Sequence, residues 1–292
     1  MGAQAEEKFF CNSIFASPQL VQYKLRSTNP NKKPIFQFLE KNYRIAEDND
    51  VLTHLTSVQE NTIDKNPFRV ALWNTHKWQD DNISADFKAL ANSADLFLTQ
   101  EAVVNKQSQA ALNSSIEKEW WLANSFFSSD ETSSDIANGV ATGSSVQPLE
   151  VGFIRSDARE PLTRSPKMAL ISKFRVLGIS EHLLVINVHM INFVLDSAFE
   201  SMLDQIEEVL SAHLGPILLG GDFNTWSQSR MDSLNKLAHK YSLNHAIPNN
   251  DSRTIKFDHL FTRGFKVSKA QVLSRIQSSD HYPLYFEIEL ID

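Results

Sequence analysis

Several features are scarce in this sequence, and each scarcity excludes something. Among 292 residues Cys11 is the single cysteine, so an intramolecular disulfide and a metal site built from several thiolates are both excluded. No apolar run approaches the roughly 20 residues of a membrane-spanning helix, so we expect no integral membrane segment. The net charge is -7, which argues against a protein that coats nucleic acid through a broad basic surface.

The composition otherwise indicates a globular protein. Hydrophobic residues make up 42% of the chain, and the length allows a large buried core. The start "MGAQAEEKFF" lacks the basic and apolar regions of a secretory leader, so we expect a cytoplasmic monomer. The run "AQA" before "EE" resembles the end of a cleaved leader, in which case the protein would be exported.

Two regions differ in their patterns. Residues 1–68 contain polar clusters without a sustained strand pattern, and we expect an irregular or partly helical extension. Residues 69–292 hold many short β-branched and aromatic runs, which predict strands. Helical spacing is clear at 196–214 and 229–241 and weaker near 83–91 and 105–118, whereas the Ser-rich stretch 125–145 is predicted to be a loop. Many strands and few helices favour two sheets packed face to face with helices outside, in a layered α/β or α+β fold.

Side chains that can bind a metal or transfer a proton follow the predicted strands. They are Asn74, Glu101, His189, Asp222, Asn224 and Asp258, with Asp280 and His281 just before the last strand. Strand ends are where a rigid scaffold positions catalytic groups. Carboxylates, amides and imidazoles without thiols suit a hard divalent ion such as Mg²⁺, for which Mn²⁺ is the expected substitute.

The segment "GGDFN" is the most specific of these motifs. In an extended chain Asp222 and Asn224 point to one face while Phe223 packs the opposite way. Gly220 and Gly221 let the backbone turn and allow a close approach. A carboxylate and an amide that face one point can deprotonate a water and hold a substrate oxygen.

Taken singly, the other positions have plainer explanations. Glu101 is equally explained as a surface acid at a strand end, His189 as a hydrogen-bonded core histidine, and Asn74 as a strand stop. The motif "SDH" at 279–281 also fits a helix cap or turn. Asp258 is harder to explain in this way, because a carboxylate within an apolar strand is costly unless it is paired. We expect His281 to be its partner.

As an ordered set, these residues resemble the endonuclease/exonuclease/phosphatase superfamily of metal-dependent phosphodiesterases. The likeness spans residues 69–290 and is greatest to a bacterial, mostly uncharacterised branch with "PKMAL", "NVHxxNF" and "GDFNTW". It implies a four-layered α/β/β/α sandwich, similar to deoxyribonuclease, with the site at one edge of the two central sheets.

The resemblance also implies a role for each residue. Glu101 would ligate the metal directly, with Asn74 helping and Asp280 acting through water. Asp222 would be the base for the attacking water and Asn224 would position that water or the phosphate. Asp258 would orient His281, which would contact the scissile phosphate together with His189. Lys167 would contact phosphate as well. Imidazolium groups and a divalent ion would offset the charge of the transition state.

Several functions are compatible with these patterns. The first is a metal-dependent phosphodiesterase acting on a phosphodiester in DNA or RNA, in an endonuclease-like manner. Because the main domain is acidic, a phospholipid or phosphoinositide is an alternative substrate. A binding scaffold with a vestigial site is the alternative from another class, with the extension as its docking arm. A serine hydrolase is disfavoured, because no G-x-S-x-G nucleophile motif is present.

Overall fold

The computed structural model describes residues 19–20, 43–64, 66–114, 118–129, 136–161 and 163–291. Within these residues the chain forms the following strands: β1 (Gln19–Leu20), β2 (Tyr43–Ile45), β3 (Leu52–Thr56), β4 (Thr62–Ile63), β5 (Phe68–Asn74), β6 (Leu96–Val104), β7 (Glu119–Ser128), β8 (Ile136–Ser144), β9 (Glu150–Arg159), β10 (Pro166–Val176), β11 (Leu183–His189), β12 (Ile217–Asp222), β13 (Asn244–His245), β14 (Asp258–Arg263), β15 (Phe265–Val272) and β16 (Leu284–Leu290). The helices are α1 (Ile83–Ser93), α2 (Lys106–Ser114), α3 (Asp196–Ser211) and α4 (Gln228–Lys240), in agreement with the four helical regions that the sequence predicts.

The strands form two eight-stranded sheets. The first sheet has the order β1-β9-β10-β11-β12-β14-β13, with β4 also paired to β10. The second has the order β15-β16-β5-β6-β8-β7-β2, with β3 also paired to β7. At the centre of each sheet two neighbouring strands run parallel, β11 with β12 and β5 with β6. Asn74, His189 and Asp222 are the last residues of β5, β11 and β12.

Alternating side chains on the central strands create the four layers. On β5, Val70 and Leu72 enter the core between the two sheets, whereas Ala71 and Trp73 enter the core that contains α1. On β11, Val185 enters the inter-sheet core, whereas Ile186 packs in the core that contains α3 and α4. Because strand side chains alternate between faces, strands buried on both sides are apolar throughout. The chain is therefore the predicted four-layered α/β/β/α sandwich.

The described part of the N-terminal region contains short strands that pair with the two sheets. Strands β2 and β3 pair antiparallel with β7, and β4 pairs parallel with β10. Within this segment β2, β3 and β4 are strands where the sequence predicts an irregular or partly helical extension, because the sheets offer backbone hydrogen bonds to these residues. Most of residues 1–42 lies outside the described residues, and the division at residue 68 stays a prediction.

The predicted Ser-rich loop is also largely strand. Residues 125–128 continue β7, and β8 occupies 136–144 in the centre of the second sheet. The small residues of β8 make room for a large neighbour: a Cβ atom on Gly143 would lie 2.6 Å from the Trp120 ring. Composition alone suggested a loop, whereas this close packing explains the small residues of a buried strand.

No helix within the described part of the chain is long and apolar enough to cross a membrane.

Candidate active site

Three of the predicted residues form one row across the first sheet. His189 at the end of β11 pairs with Asp222 at the end of β12, and Asp222 pairs with Asp258 at the start of β14. From the second sheet, the Nδ2 atom of Asn74 donates a hydrogen bond to Oδ2 of Asp222 at 2.9 Å. The two sheets therefore meet at a buried polar contact at this edge of the sandwich.

The glycine before Asp222 permits a close contact between strands. Gly221 has φ +148°, and a Cβ atom there would lie 1.9 Å from the carbonyl oxygen of Val188 on β11. The sequence predicts that some group approaches these glycines closely, and at Gly221 this group is the backbone of the neighbouring strand β11. Phe223 packs into the outer core as predicted, whereas Asn224 leaves the extended conformation with φ +51° and donates from Nδ2 to the carbonyl of Met190.

The Asp222 carboxylate is buried, and its pKa is raised. Burial, followed by the negative charge of Asp258, raises its pKa to about 6, although hydrogen bonds from Asn224 and Asn74 oppose the shift. Its Oδ2 atom also lies 3.5 Å from Nε2 of His189. A pKa near the working pH is what a general base requires, because the group is then ionised and still accepts a proton readily.

His281 and Asp258 form the predicted pair. The Nδ1 atom of His281 lies 2.9 Å from Oδ2 and 3.1 Å from Oδ1 of Asp258. Burial by itself lowers the pKa of His281, but the charge and hydrogen bond of Asp258, together with the charges of Asp222 and Asp280, raise it to about 10. His281 is therefore an imidazolium at neutral pH, with its Nδ1 proton held by Asp258.

His189 differs from the expectation that both site histidines are imidazolium groups. Burial, followed by the positive charges of Lys167, His281 and Lys77, holds its pKa well below the usual value. The Nζ atom of Lys167 lies 2.9 Å from Nε2 of His189 and 3.2 Å from Oε1 of Glu160. A lysine ammonium can only donate, so Nε2 accepts and the ring is neutral. The positive charge in this contact is therefore carried by the Lys167 ammonium and not by His189.

Glu101 occupies a bulge in β6. The register between β6 and β8 shifts between Thr99 and Ala102, and Glu101 has φ +50°. A bulge re-aims a side chain, and a non-glycine residue in the left-handed region costs roughly 1–3 kcal/mol, which is commonly tolerated at functional sites. The Oε2 atom of Glu101 lies 3.7 Å from Nζ of Lys77. The Thr75 hydroxyl donates to the backbone carbonyl of Glu101.

Asp280 lies on the exposed side of the same edge. The hydroxyl of the preceding Ser279 donates to the backbone carbonyl of Asn74 at 2.7 Å, which ties this segment to the end of β5. The Oδ2 atom of Asp280 lies 3.9 Å from Nε2 of His76, and its side chain is 59% exposed. Asp280 is thus near the edge while still accessible to solvent.

Asn74, Glu101 and Asp280 supply the oxygen atoms that a hard divalent ion prefers. The Oδ1 atom of Asn74 accepts one hydrogen bond from the backbone of His76 and keeps a second lone pair. Both carboxylates are partly accessible, at 19% and 59%. In donor type and accessibility these three side chains are compatible with a hydrated divalent ion.

A second group of possible ligands consists of Asp222, Asp258 and His281, whose candidate atoms lie within 4.8 Å of one another. This group fits a metal less well. A histidine ligand must be neutral, whereas Nδ1 of His281 lies 2.9 Å from Oδ2 of Asp258, a contact that ligation through Nδ1 would have to replace. Acid–base and electrostatic chemistry suits these three residues better than ligation.

Some site neighbours give little signal in the sequence. Lys77 lies in a left-handed 3-10 turn directly after β5 and lines a cleft with Lys167 and His189. Beneath the site, Nε2 of Gln100 donates to Oδ1 of Asn187 at 2.7 Å, which bridges the two sheets. Both side chains fall within apolar strand patterns, where sequence offers no reason to separate them from ordinary strand residues.

Comparison with protein-family models identifies the family of this chain. The model of the Endonuclease/Exonuclease/phosphatase family matches residues 71–281. The chain belongs to this family. Its members hydrolyse phosphoester bonds, as nucleases and phosphatases do, and they generally use divalent metals. The match covers every residue proposed above for the site, from Asn74 to His281.

Relatives and solved structures agree with this assignment. The chain is 32% identical over 243 residues to a UPF0294 protein of Vibrio campbellii, covering 80% of this chain and 82% of the relative. A UPF0294 protein of Klebsiella pneumoniae is 31% identical, with 75% and 81% covered. The human Nocturnin catalytic domain with bound sulfate has a TM-score of 0.59 at 17% identity, with 78% and 97% covered. This structural likeness shows the shared fold.

Proposed function

We propose that the chain is a divalent-metal-dependent phosphodiesterase, with an endonuclease-like activity on DNA or RNA as its first candidate reaction. The observation that carries this proposal is the position of Asp222. This buried carboxylate, with its raised pKa, lies between a neutral His189 that is paired with Lys167 and a charged His281 that is paired with Asp258. A base beside the His281 imidazolium, with the Lys167 ammonium bound to the neighbouring His189, suits attack by water on an anionic phosphate.

The reaction is proposed to begin with proton transfer from a water to the Asp222 carboxylate. The water oxygen then bonds to phosphorus, and the leaving oxygen departs with the electron pair of the broken bond. Negative charge on the equatorial oxygens is offset by the imidazolium of His281 and the ammonium of Lys167. Neutral His189 positions the ammonium, and Asn224 orients the water or a phosphate oxygen.

The metal is proposed to be held by Glu101, with Asn74 and Asp280 as supporting oxygen donors. When bound, a divalent ion would polarise a phosphoryl oxygen and offset its charge. Without the metal, Oε2 of Glu101 lies 3.7 Å from Nζ of Lys77. Binding of the ion therefore competes with this ammonium for the same carboxylate.

A lipid phosphodiester is the second candidate substrate, and one feature of the site's rim favours it. Phe193 and Leu195, on the loop after His189, are 71% and 81% exposed. Trp226, two residues after Asn224, is 49% exposed, and its Nε1 atom donates to Oδ1 of Asn192 at 3.1 Å. Apolar side chains exposed beside a polar site are typical of a surface that contacts a ligand or a membrane.

A substrate panel tests the proposal. Purified protein is incubated with Mg²⁺ and bis-p-nitrophenyl phosphate, plasmid DNA, RNA, sphingomyelin vesicles or p-nitrophenyl phosphate, each with and without EDTA. We expect hydrolysis of the diesters that EDTA abolishes, and faster cleavage of nucleic acid than of lipid. Preference for sphingomyelin would select the lipid candidate, and preference for the monoester would indicate a phosphatase.

Two outcomes count against the proposal as a whole. Hydrolysis that persists in excess EDTA would exclude the metal-dependent mechanism. Absence of hydrolysis of every substrate, by protein that still binds Mg²⁺ in calorimetry, would favour a binding scaffold. In that case, deletion of residues 1–42 would test whether the N-terminal region docks a partner.

A further inference from the structure

A buried arginine contacts the residue that holds His281. Arg253 lies in the loop between β13 and β14, and its side chain is 7% exposed. Its Nη1 atom lies 3.3 Å from Oδ2 of Asp258, and both Nη atoms lie 3.4 Å from the backbone carbonyl of the same residue. The carboxylate of Asp258 is thus contacted by two different cations, Arg253 and His281.

Asp251 holds the guanidinium in place. The Nε atom of Arg253 donates to Oδ1 of Asp251 at 2.9 Å, and Nη2 donates to Oδ2 at 3.1 Å. Oδ1 also accepts from the backbone amide of Arg253, and the Lys256 ammonium lies 3.3 Å from Oδ2. Two parallel hydrogen bonds between planar groups fix orientation as well as distance.

The contacts of Arg253 are unequal. Asp251 receives the two short side-chain bonds, whereas Asp258 receives one longer contact to its carboxylate and two to its carbonyl. The carboxylate of Asp258 therefore keeps its shorter contacts, at 2.9 and 3.1 Å, for Nδ1 of His281. Asp258 is held by Arg253 at its backbone and at one oxygen, which leaves little freedom for rotation.

We propose that Arg253 is a positioning residue for the hydrolytic reaction. Clamped by Asp251, it fixes the Asp258 carboxylate against Nδ1 of His281 and thereby directs the other ring nitrogen of His281 toward the phosphate. This inference rests on the proposed function for its catalytic consequence. The geometric part concerns only the chain itself, so it can be measured without a substrate.

The first test compares Arg253→Met with the wild type on bis-p-nitrophenyl phosphate. We expect kcat to fall by roughly 10–100-fold, the usual cost of removing a group that orients a catalytic side chain. KM should stay within about twofold, because no group that touches substrate is removed. Arg253→Lys should recover only part of kcat, since one ammonium cannot bridge both carboxylates as the planar fork does.

Arg263→Met is the matched control. Arg263 is a part-buried arginine at the other end of β14, and it donates to the backbone carbonyls of His213 and Gly215. Its loss should lower the melting temperature while leaving kcat unchanged. If Arg253→Met fails to fold, Arg253→Lys and Asp251→Asn carry the comparison.

A spectroscopic measurement separates this inference from the proposed function. In ¹⁵N-histidine-labelled protein at neutral pH, the Nδ1 proton of His281 should give a downfield, slowly exchanging resonance. We expect it in the wild type and in Arg263→Met, and we expect it to be shifted or lost in Arg253→Met. An inactive wild type would overturn the proposed function only. A folded Arg253→Met with an unchanged resonance, and with unchanged kcat where the wild type is active, would overturn the positioning role.

Discussion

The Nζ atom of Lys167 lies 2.9 Å from Nε2 of His189. This contact makes the imidazole an acceptor and the lysine the source of positive charge beside His189. Glu160, at 3.2 Å from the same ammonium, completes a chain of contacts that fixes the lysine. Burial and the neighbouring ammonium both disfavour the protonated form of His189 and hold its pKa well below the usual value.

Removal of the lysine tests this distribution. Lys167→Met should lower kcat by roughly 10²-fold, the usual cost of one donor to the developing negative charge. It should also raise the pKa of His189 in NMR titration, because a neighbouring positive charge is removed. Lys173→Met is the matched control: Lys173 lies on the same strand and is paired with Glu150. Equal losses in both variants would count against a role for Lys167 at the site.

Glu101 is the residue whose loss should affect metal binding most. Glu101→Gln keeps the size of the side chain but removes the charge, so the affinity for Mg²⁺ in calorimetry should fall by roughly 10–100-fold. Glu150→Gln, on β9 and paired with Lys173, serves as the control. Unchanged Mg²⁺ binding in Glu101→Gln would show that the ion is held elsewhere, with Asp222 and Asp258 as the next ligands to test.

The two glycines before Asp222 should tolerate alanine to different degrees. At Gly220 a Cβ atom meets the flexible end of Leu260 at 2.9 Å, whereas at Gly221 it meets the backbone oxygen of Val188 at 1.9 Å. Gly220→Ala should therefore cost about 1–3 kcal/mol of unfolding free energy. Gly221→Ala should cost more than about 4 kcal/mol or prevent folding. Urea denaturation measures both, and equal costs would contradict the close strand contact.

Two neighbouring histidines, His245 on β13 and His259 on β14, should make the folded protein less stable in acid. Nδ1 of His259 lies 3.1 Å from Nε2 of His245. Burial, with nearby positive charges, lowers the pKa of His259 to about 3 and that of His245 to about 4. In the unfolded chain both titrate near 6.5, so the unfolded state binds more protons below that pH. Stability is therefore retained above pH 6.5 and is lost as the pH falls toward 4.

One substitution measures the contribution of this pair. Each group lowers the unfolding free energy by up to about 1.4 kcal/mol per pH unit in that window. His245→Phe removes one such group and should reduce the slope between pH 6 and 5 by about this amount. His239→Phe, at an exposed position on α4, is the control. An unchanged slope in His245→Phe would mean that His245 binds a proton without destabilising the fold.

The layers of the fold and the edge that carries the site could be predicted from the sequence. Alternating apolar strands and four amphipathic helices fix the layers, and Asp222 stands out because a carboxylate after an apolar strand and two glycines has no packing purpose. The order of the strand ends places His189 and Asp258 in the same region. The pairing of Asp258 with His281 could be anticipated from the cost of burying an unpaired carboxylate.

Other features depend on contacts between distant segments, which the sequence does not display. The bulge that turns Glu101 is a backbone conformation with no glycine to mark it. The strand β8 resembles a loop in composition, because its small residues are explained only by the Trp120 ring that covers them. Arg253 lies in a polar loop, and its contact with Asp258 depends on how that loop folds back. The neutral state of His189 depends on its burial and on Lys167, which reaches it from another strand.

Asp222 is proposed above as the base of a metal-dependent hydrolysis. The most direct measurement compares the wild type with Asp222→Asn and with Asp204→Asn, an exposed position on α3, in hydrolysis of bis-p-nitrophenyl phosphate as Mg²⁺ is titrated. We predict that Asp222→Asn lowers kcat by roughly 10²–10⁴-fold while remaining folded, and that Asp204→Asn matches the wild type. Full activity in Asp222→Asn, or wild-type activity that is independent of Mg²⁺, would contradict the account.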